Sequence, residues 1–112
     1  MQVETTRHGA VTVVRPDGPV INENDAALLK NESFQVLGNT LGRFIIDASK
    51  MTFVESNGLE ALVEITEEVG AGGQQLRLCG ISDTLREIMS LTGITSKFQQ
   101  FEDVQSAVRS FL

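Results

Sequence analysis

Arg43-Phe44-Ile45-Ile46-Asp47 opens a stretch that runs through Leu59-Glu60-Ala61-Leu62-Val63 and closes on Gln75-Leu76-Arg77-Leu78-Cys79. Its first segment is a short apolar run of strand formers without polar alternation. That is the pattern of a strand covered on both faces, so it is expected at the centre of a sheet. Further on, Leu59, Leu62, Val63, Thr66 and Val69 recur at helical spacing, with Glu60, Glu64, Glu67 and Glu68 largely on other faces. Gly70-Ala71-Gly72-Gly73 then stops the helix. Gln75 to Cys79 alternates as a strand does. Strand, helix and strand over this length form a βαβ crossover, whose two strands run parallel.

Working outward, Val3, Thr5 and Arg7 alternate with Glu4 and Thr6, His8-Gly9 interrupts, and Val11-Thr12-Val13-Val14 resumes before Pro16-Asp17-Gly18. This reads as an N-terminal hairpin. A first helix is expected with Asn24 or Asp25 as cap, an inner face of Ala26, Leu29, Val36 and Leu37, and Gly38 near its end; Ser33 falls on that same face. On the other side, Ser82 caps a third helix with Asp83 in its first turn and Leu85, Ile88, Met89 and Thr92 on one side, and Gly93 lies past its end. Phe98-Gln99-Gln100-Phe101 reads as a last short strand. Val104, Ala107, Val108 and Phe111 sit at i, i+3, i+4 and i+7 of a closing helix capped by Asp103. The fold class is therefore α/β: one domain over residues 1–112, a mixed sheet with an N-terminal hairpin and about four α-helices.

The chain has 112 residues, 9 Lys plus Arg against 15 Asp plus Glu, and a net charge of −6. Its acidity disfavours nucleic acid, which is bound by neutralising phosphates with clustered cations. No apolar run approaches the roughly 20 residues a membrane span needs, and residues 1–7 lack a secretory pattern. A lone Cys79 and a lone His8 supply neither a disulfide nor the usual structural zinc shell. A reducing cytoplasm fits this composition, and a protein partner or a small ligand remains.

Candidate chemistry is sparse. Gly70 to Gly73 follow a helix and precede no Gly-Lys-Ser/Thr, so they read as a helix stop rather than a phosphate loop. His8 reads as a surface turn residue and Cys79 as a small buried hydrophobe. The glutamates of the second helix, one turn apart, read as a solvated face rather than a metal site. No nucleophile, base and orienting acid can be assembled from one histidine, so no enzyme, catalytic residue, metal or cofactor is expected.

One segment stands apart: Phe53-Val54-Glu55-Ser56-Asn57-Gly58-Leu59-Glu60 leads from the central strand into the second helix. Asn57 as N-cap, with Glu60 three residues later, makes a capping-box pattern. The same place suits a phosphate, because free amides and the positive end of the helix dipole meet there. Phosphorylating Ser56 adds about −1.5 to −2 charges, held by helix amides and opposed by Glu55.

The pattern Phe44-Ile45-Ile46-Asp47-Ala48-Ser49 … Phe53-Val54-Glu55-Ser56-Asn57-Gly58-Leu59 resembles the STAS domain, the family of anti-sigma factor antagonists and sulfate-transporter tails. In that family a strand ending in Asp is followed by Asp-Ser-Ser/Thr/Ala-Gly-Leu opening a helix. Gly73, Leu76 to Ser82, Leu85 to Ile94, Phe98, Phe101 and the terminal helix follow the family's order as well. The resemblance implies a partner-switching protein. It binds a serine kinase and anti-sigma factor of histidine-kinase-like ATPase fold when unphosphorylated, is released by phosphorylation, and is reset by a PP2C-type phosphatase. Two departures stand out: Asn57 occupies the position of many family acceptors, and Glu55 replaces the usual Asp. The loop before the first helix, Val20-Ile21-Asn22-Glu23-Asn24, offers no matching Asp. The resemblance thus implies Ser56 as phosphoacceptor candidate and Asn22, Asn24, Glu55, Ser56, Asn57 and Gly58 as partner-binding residues. The alternative role on the same fold is a non-phosphorylated STAS subunit binding an ATPase of a transport system.

Overall fold

The computed structural model describes residues 1–112. Five strands, β1 (Val3–His8), β2 (Val11–Pro16), β3 (Phe44–Asp47), β4 (Leu76–Cys79) and β5 (Phe98–Phe101), lie side by side in sequence order. β1 and β2 form the antiparallel hairpin, and every other neighbouring pair is parallel. The helices are α1 (Glu23–Thr40), α2 (Ser56–Gly70), α3 (Asp83–Leu91) and α4 (Val104–Arg109), with a 3₁₀ turn at Thr95–Lys97 before β5. The α/β class, the hairpin and the parallel β3-α2-β4 crossover stand as the residues indicate.

β3 is the middle strand, and all four of its residues are buried. Its period of two divides the interior. Phe44 and Ile46 join Val14, Leu29, Leu62, Ile65, Leu78, Leu85 and Met89 in the larger core beneath α1, α2 and α3. Ile45 joins Val11, Val13, Cys79 and Ala107 in a small core closed by α4 alone. The unbroken apolar run is thus what two covered faces require.

Three local expectations are corrected. α1 is capped by Asn22, not Asn24 or Asp25: Asn22 Oδ1 accepts the Asp25 N–H at 2.9 Å, and Asp25 Oδ2 accepts the Ile21 N–H at 3.2 Å. Asp25 thus reaches back past the cap to the amide of the preceding residue, and the helix begins earlier than its first apolar residue suggests. At the other end Gly38 lies near the close of α1 as expected, and the left-handed reversal falls on Leu41, at φ 57°. The capping box Asn57–Glu60 does not form either, because Asn57 already lies inside α2, whose N-cap residue is Glu55. Finally, the buried face of α2 is Gly58, Ala61, Leu62, Ile65, Thr66 and Val69, while Leu59 and Val63 lie half-buried on its flank. α2 packs on the sheet and against α1 together, so its small residues are covered as well as its large ones. Buried Thr66 spends its hydroxyl on both functions, donating to Lys97 O at 3.0 Å and accepting from Leu76 N at 3.2 Å.

Candidate functional site

Two loops that are distant in sequence are stitched together at the head of the sheet. Val20 and Val54 form a parallel bridge, in which Val20 N–H donates to Phe53 O at 3.3 Å and Glu55 N–H to Val20 O at 3.0 Å. A parallel bridge sends both chains onward in the same direction. Asn22 and Glu55 then start α1 and α2, so two helix N-termini emerge next to one another. Both bridging valines are buried, whereas the apolar neighbours Ile21 and Phe53 are 49% and 39% exposed.

Gly58 makes this juxtaposition possible. A Cβ there would lie 2.2 Å from Val54 Cγ1 and 2.9 Å from Val20 Cβ, so only a residue without a side chain lets the first turn of α2 rest on the bridge. The Gly of the motif is therefore a packing requirement.

The two N-termini are finished differently. α1, α3 and α4 each have a side-chain cap, from Asn22, Ser82 and Asp103. α2 has none: the Glu55 side chain makes no cap hydrogen bond, and the first turn of α2 contains no acidic residue. Of the amides left over at a helix start, Glu55 N–H is taken by Val20 O and Gly58 N–H by Glu55 O. The amides of Ser56 and Asn57 have no protein acceptor. Ser56 and Glu55 are exposed at this open end, as are Asn22 and Asn24 on the neighbouring helix. Asn57 differs: half-buried, it lines a notch of about 150 Å³ between α1 and α2, together with Glu23, Lys30 and Glu60. The notch is closed at one side by the pair Lys30 Nζ–Glu64 Oε2 at 3.1 Å.

Asp47, the acid that ends β3, serves the scaffold. Its Oδ1 accepts the Ser49 N–H at 3.0 Å and turns the chain off the sheet. Gly80, at φ +68°, packs against that turn: a Cβ there would meet Ser49 Cβ at 3.0 Å and Asp47 Oδ1 at 3.2 Å. Beside them the Cys79 thiol is fully buried, and burial, reinforced by the negative charge of Asp47, pushes its pKa up to about 12. Cys79 is a core residue, and His8 is the exposed last residue of β1.

Residue reasoning missed Ile21, Phe53 and the Val20–Val54 bridge. Their signals, Val20-Ile21 and Phe53-Val54, are β-branched and aromatic pairs too short to announce strands.

Comparison with known proteins now bears on this geometry. The model of the STAS domain matches residues 2–107. The chain belongs to the STAS domain family. No curated protein sequence matches it. Among solved structures, the STAS fold seen here is similar to a Thermotoga maritima protein assigned as an anti-sigma factor antagonist. That pair has TM-score 0.86 and 18% identity, over 96% of this chain and 92% of that one. An anti-sigma factor antagonist from Mycobacterium paratuberculosis gives TM-score 0.83 and 22% identity over 97% and 92%. The Bacillus cell fate determinant SpoIIAA in its phosphorylated form gives 0.72 and 14% over 99% and 100%. At these identities the likeness concerns the fold, and it extends the STAS assignment to the whole mixed sheet and its helices.

Proposed function

We propose that this STAS domain is a partner-switching module, in which the paired N-termini of α1 and α2 dock a protein and negative charge at Ser56 breaks that contact. The partner proposed is a serine kinase and anti-sigma factor of histidine-kinase-like ATPase fold, with a PP2C-type phosphatase removing the phosphate. The observation that carries the reading is the open start of α2: exposed Ser56 beside two unpaired amides, in the one α-helix without a side-chain cap.

The physics separates what a phosphate does inside the domain from what it does at the interface. Inside, the free amides and the positive helix end favour an anion, by about 0.3–1 kcal/mol for a charge at this kind of place. Glu55, exposed next to it, reduces that gain. At the interface the same charge has to be desolvated against the partner, which costs about 2–5 kcal/mol when no opposite charge meets it. Exposed Ile21 and Phe53 supply the apolar part of the docking surface, and Asn22, Asn24, Glu55 and Asn57 supply polar contacts around it. Asn57 has no hydroxyl to accept a phosphoryl group, so Ser56 is the acceptor in this reading.

Incubation of the chain with its kinase and ATP should add one phosphate by intact mass, and peptide mapping should place it on Ser56. Ser56→Asp should lose partner binding in calorimetry while melting no lower than the parent. An active kinase that leaves Ser56 unmodified removes the switch, and undiminished binding by Ser56→Asp removes the surface.

A further inference from the structure

The geometry points to a second binding site, a cleft of about 470 Å³ at the far end of α1, which takes a small oxyanion, in the first place a phosphate group, between Arg7 and Arg43. An 18-residue helix is about 27 Å long, so this cleft and the helix N-termini lie at opposite poles.

Strand register builds the cleft floor. Arg7 of β1 pairs with Thr12 of β2, and the Thr12 N–H donates to Arg43 O at 3.0 Å. Arg7 and Arg43 therefore flank Thr12 on either side, about two strand spacings, or roughly 10 Å, from one another at the backbone. Guanidinium side chains span such a gap readily. Thr5, two residues before Arg7, falls on the same face, and the last turns of α1 close the cleft from above with Val36 and Asn39.

Three features distinguish this place from ordinary surface. First, no Asp or Glu lines it, although the chain carries a net charge of −6. The ion pairs of the molecule involve Arg15 and Lys30, and neither Arg7 nor Arg43. Second, Thr12 is 8% exposed and lines the cleft, yet its hydroxyl takes part in no hydrogen bond of the protein. Its hydroxyl is left to solvent at the cleft wall. Third, the guanidiniums are not committed to the C-terminal carbonyls of α1. Arg7 reaches only Gly9 O, at 3.4 Å, while the helix end is served by the Thr40 hydroxyl on Val36 O and by the Arg43 main-chain N–H on Thr40 O.

The residues along the cleft that carry donors are Arg7, Arg43, Thr5, Thr12 and Asn39. Arginine forks match the oxygens of phosphate in pairs. The helix end opposes an anion with about −0.5 charge, which two full positive charges outweigh. The volume falls in the range of small-molecule sites, and Val36 gives an organic substituent an apolar wall. The site is independent of Ser56 and of the proposed switch.

Titration of the full chain with pyrophosphate, followed by amide chemical shifts, should give saturable changes confined to residues 5–12 and 36–43. The double variant Arg7→Gln/Arg43→Gln should lose the response while melting as the parent does. Arg43→Lys, which keeps charge but not the fork, should bind about tenfold more weakly. Changes that merely follow ionic strength in a sodium chloride control, that centre on Ser56 to Leu59, or that survive the double substitution overturn the proposal. Citrate binding as tightly as pyrophosphate overturns the preference for phosphate.

Discussion

Gly58→Ala is the perturbation that tests the head of the molecule most directly. In an ordinary helix this substitution stabilises by about 0.5–1 kcal/mol, because glycine loses more backbone freedom. Here the new Cβ would lie 2.2 Å from Val54 Cγ1 and 2.9 Å from Val20. Restoring a carbon contact of about 3.5 Å requires the first turn of α2 to lift by more than about 1 Å. Neither valine yields easily, since β-branched side chains are stiff and both are buried on loops joined by two backbone hydrogen bonds. Overpacking of this kind costs about 1–3 kcal/mol, and loss of the bridge adds about 0.5–1.5 kcal/mol per hydrogen bond. The sum, less the propensity gain, leaves a destabilisation of about 1 kcal/mol if the bridge holds and up to about 5 kcal/mol if both its hydrogen bonds are lost, or about 4 °C or more in Tm per kcal/mol. Urea and thermal melts followed by circular dichroism measure it. Gly38→Ala is the internal control: it lies inside α1 with nothing within 4 Å of its Cβ, so it should stabilise by about 0.5–1 kcal/mol. If Gly58→Ala stabilises as Gly38→Ala does, α2 does not rest on the Val20–Val54 bridge, and the side-by-side helix starts lose their physical basis.

Other expectations concern single groups. Asn22→Ala removes the acceptor of the Asp25 amide and should cost about 1 kcal/mol in chemical denaturation; an unchanged midpoint would show that the cap contributes nothing. The Cys79 thiol is held neutral by burial, with its pKa raised to about 12. A group raised in the folded state contributes stability below its unfolded pKa and loses it as pH climbs to the folded value. Stability should therefore decline between about pH 9 and 12, and Cys79→Ala should flatten that decline; the chain has no tyrosine to confuse the window. The thiol should also resist alkylation at neutral pH until the protein is unfolded, and rapid labelling of the native form would contradict its placement. Truncating exposed Ile21 and Phe53 to Ala should leave melting within about 0.5 kcal/mol of the parent while weakening capture of the proposed kinase partner; undiminished capture would take these side chains out of the interface.

How far the residues alone carry the molecule depends on the range of the interactions involved. Local periodicity was sufficient for the hairpin, the buried central strand Phe44 to Asp47, the crossover to Leu76 and the Ser82 and Asp103 caps, since each is decided by neighbours within a turn or a pleat. The motif around Ser56 was equally visible, and with it the family. Where α1 and α2 begin was not: Asn22 and Glu55 are placed by the bridge between Val20 and Val54, a contact across more than thirty positions that no window of sequence displays. The same holds for Gly58, which looks like a weak helix residue until the valines beneath it are in view. Arg7 and Arg43 likewise become neighbours only through strand register. Sequence determined which segments form regular structure, because backbone preference and apolar spacing are local. Tertiary structure decided which helix start is open and which side chains share a surface, because packing and pairing join residues that the chain keeps apart.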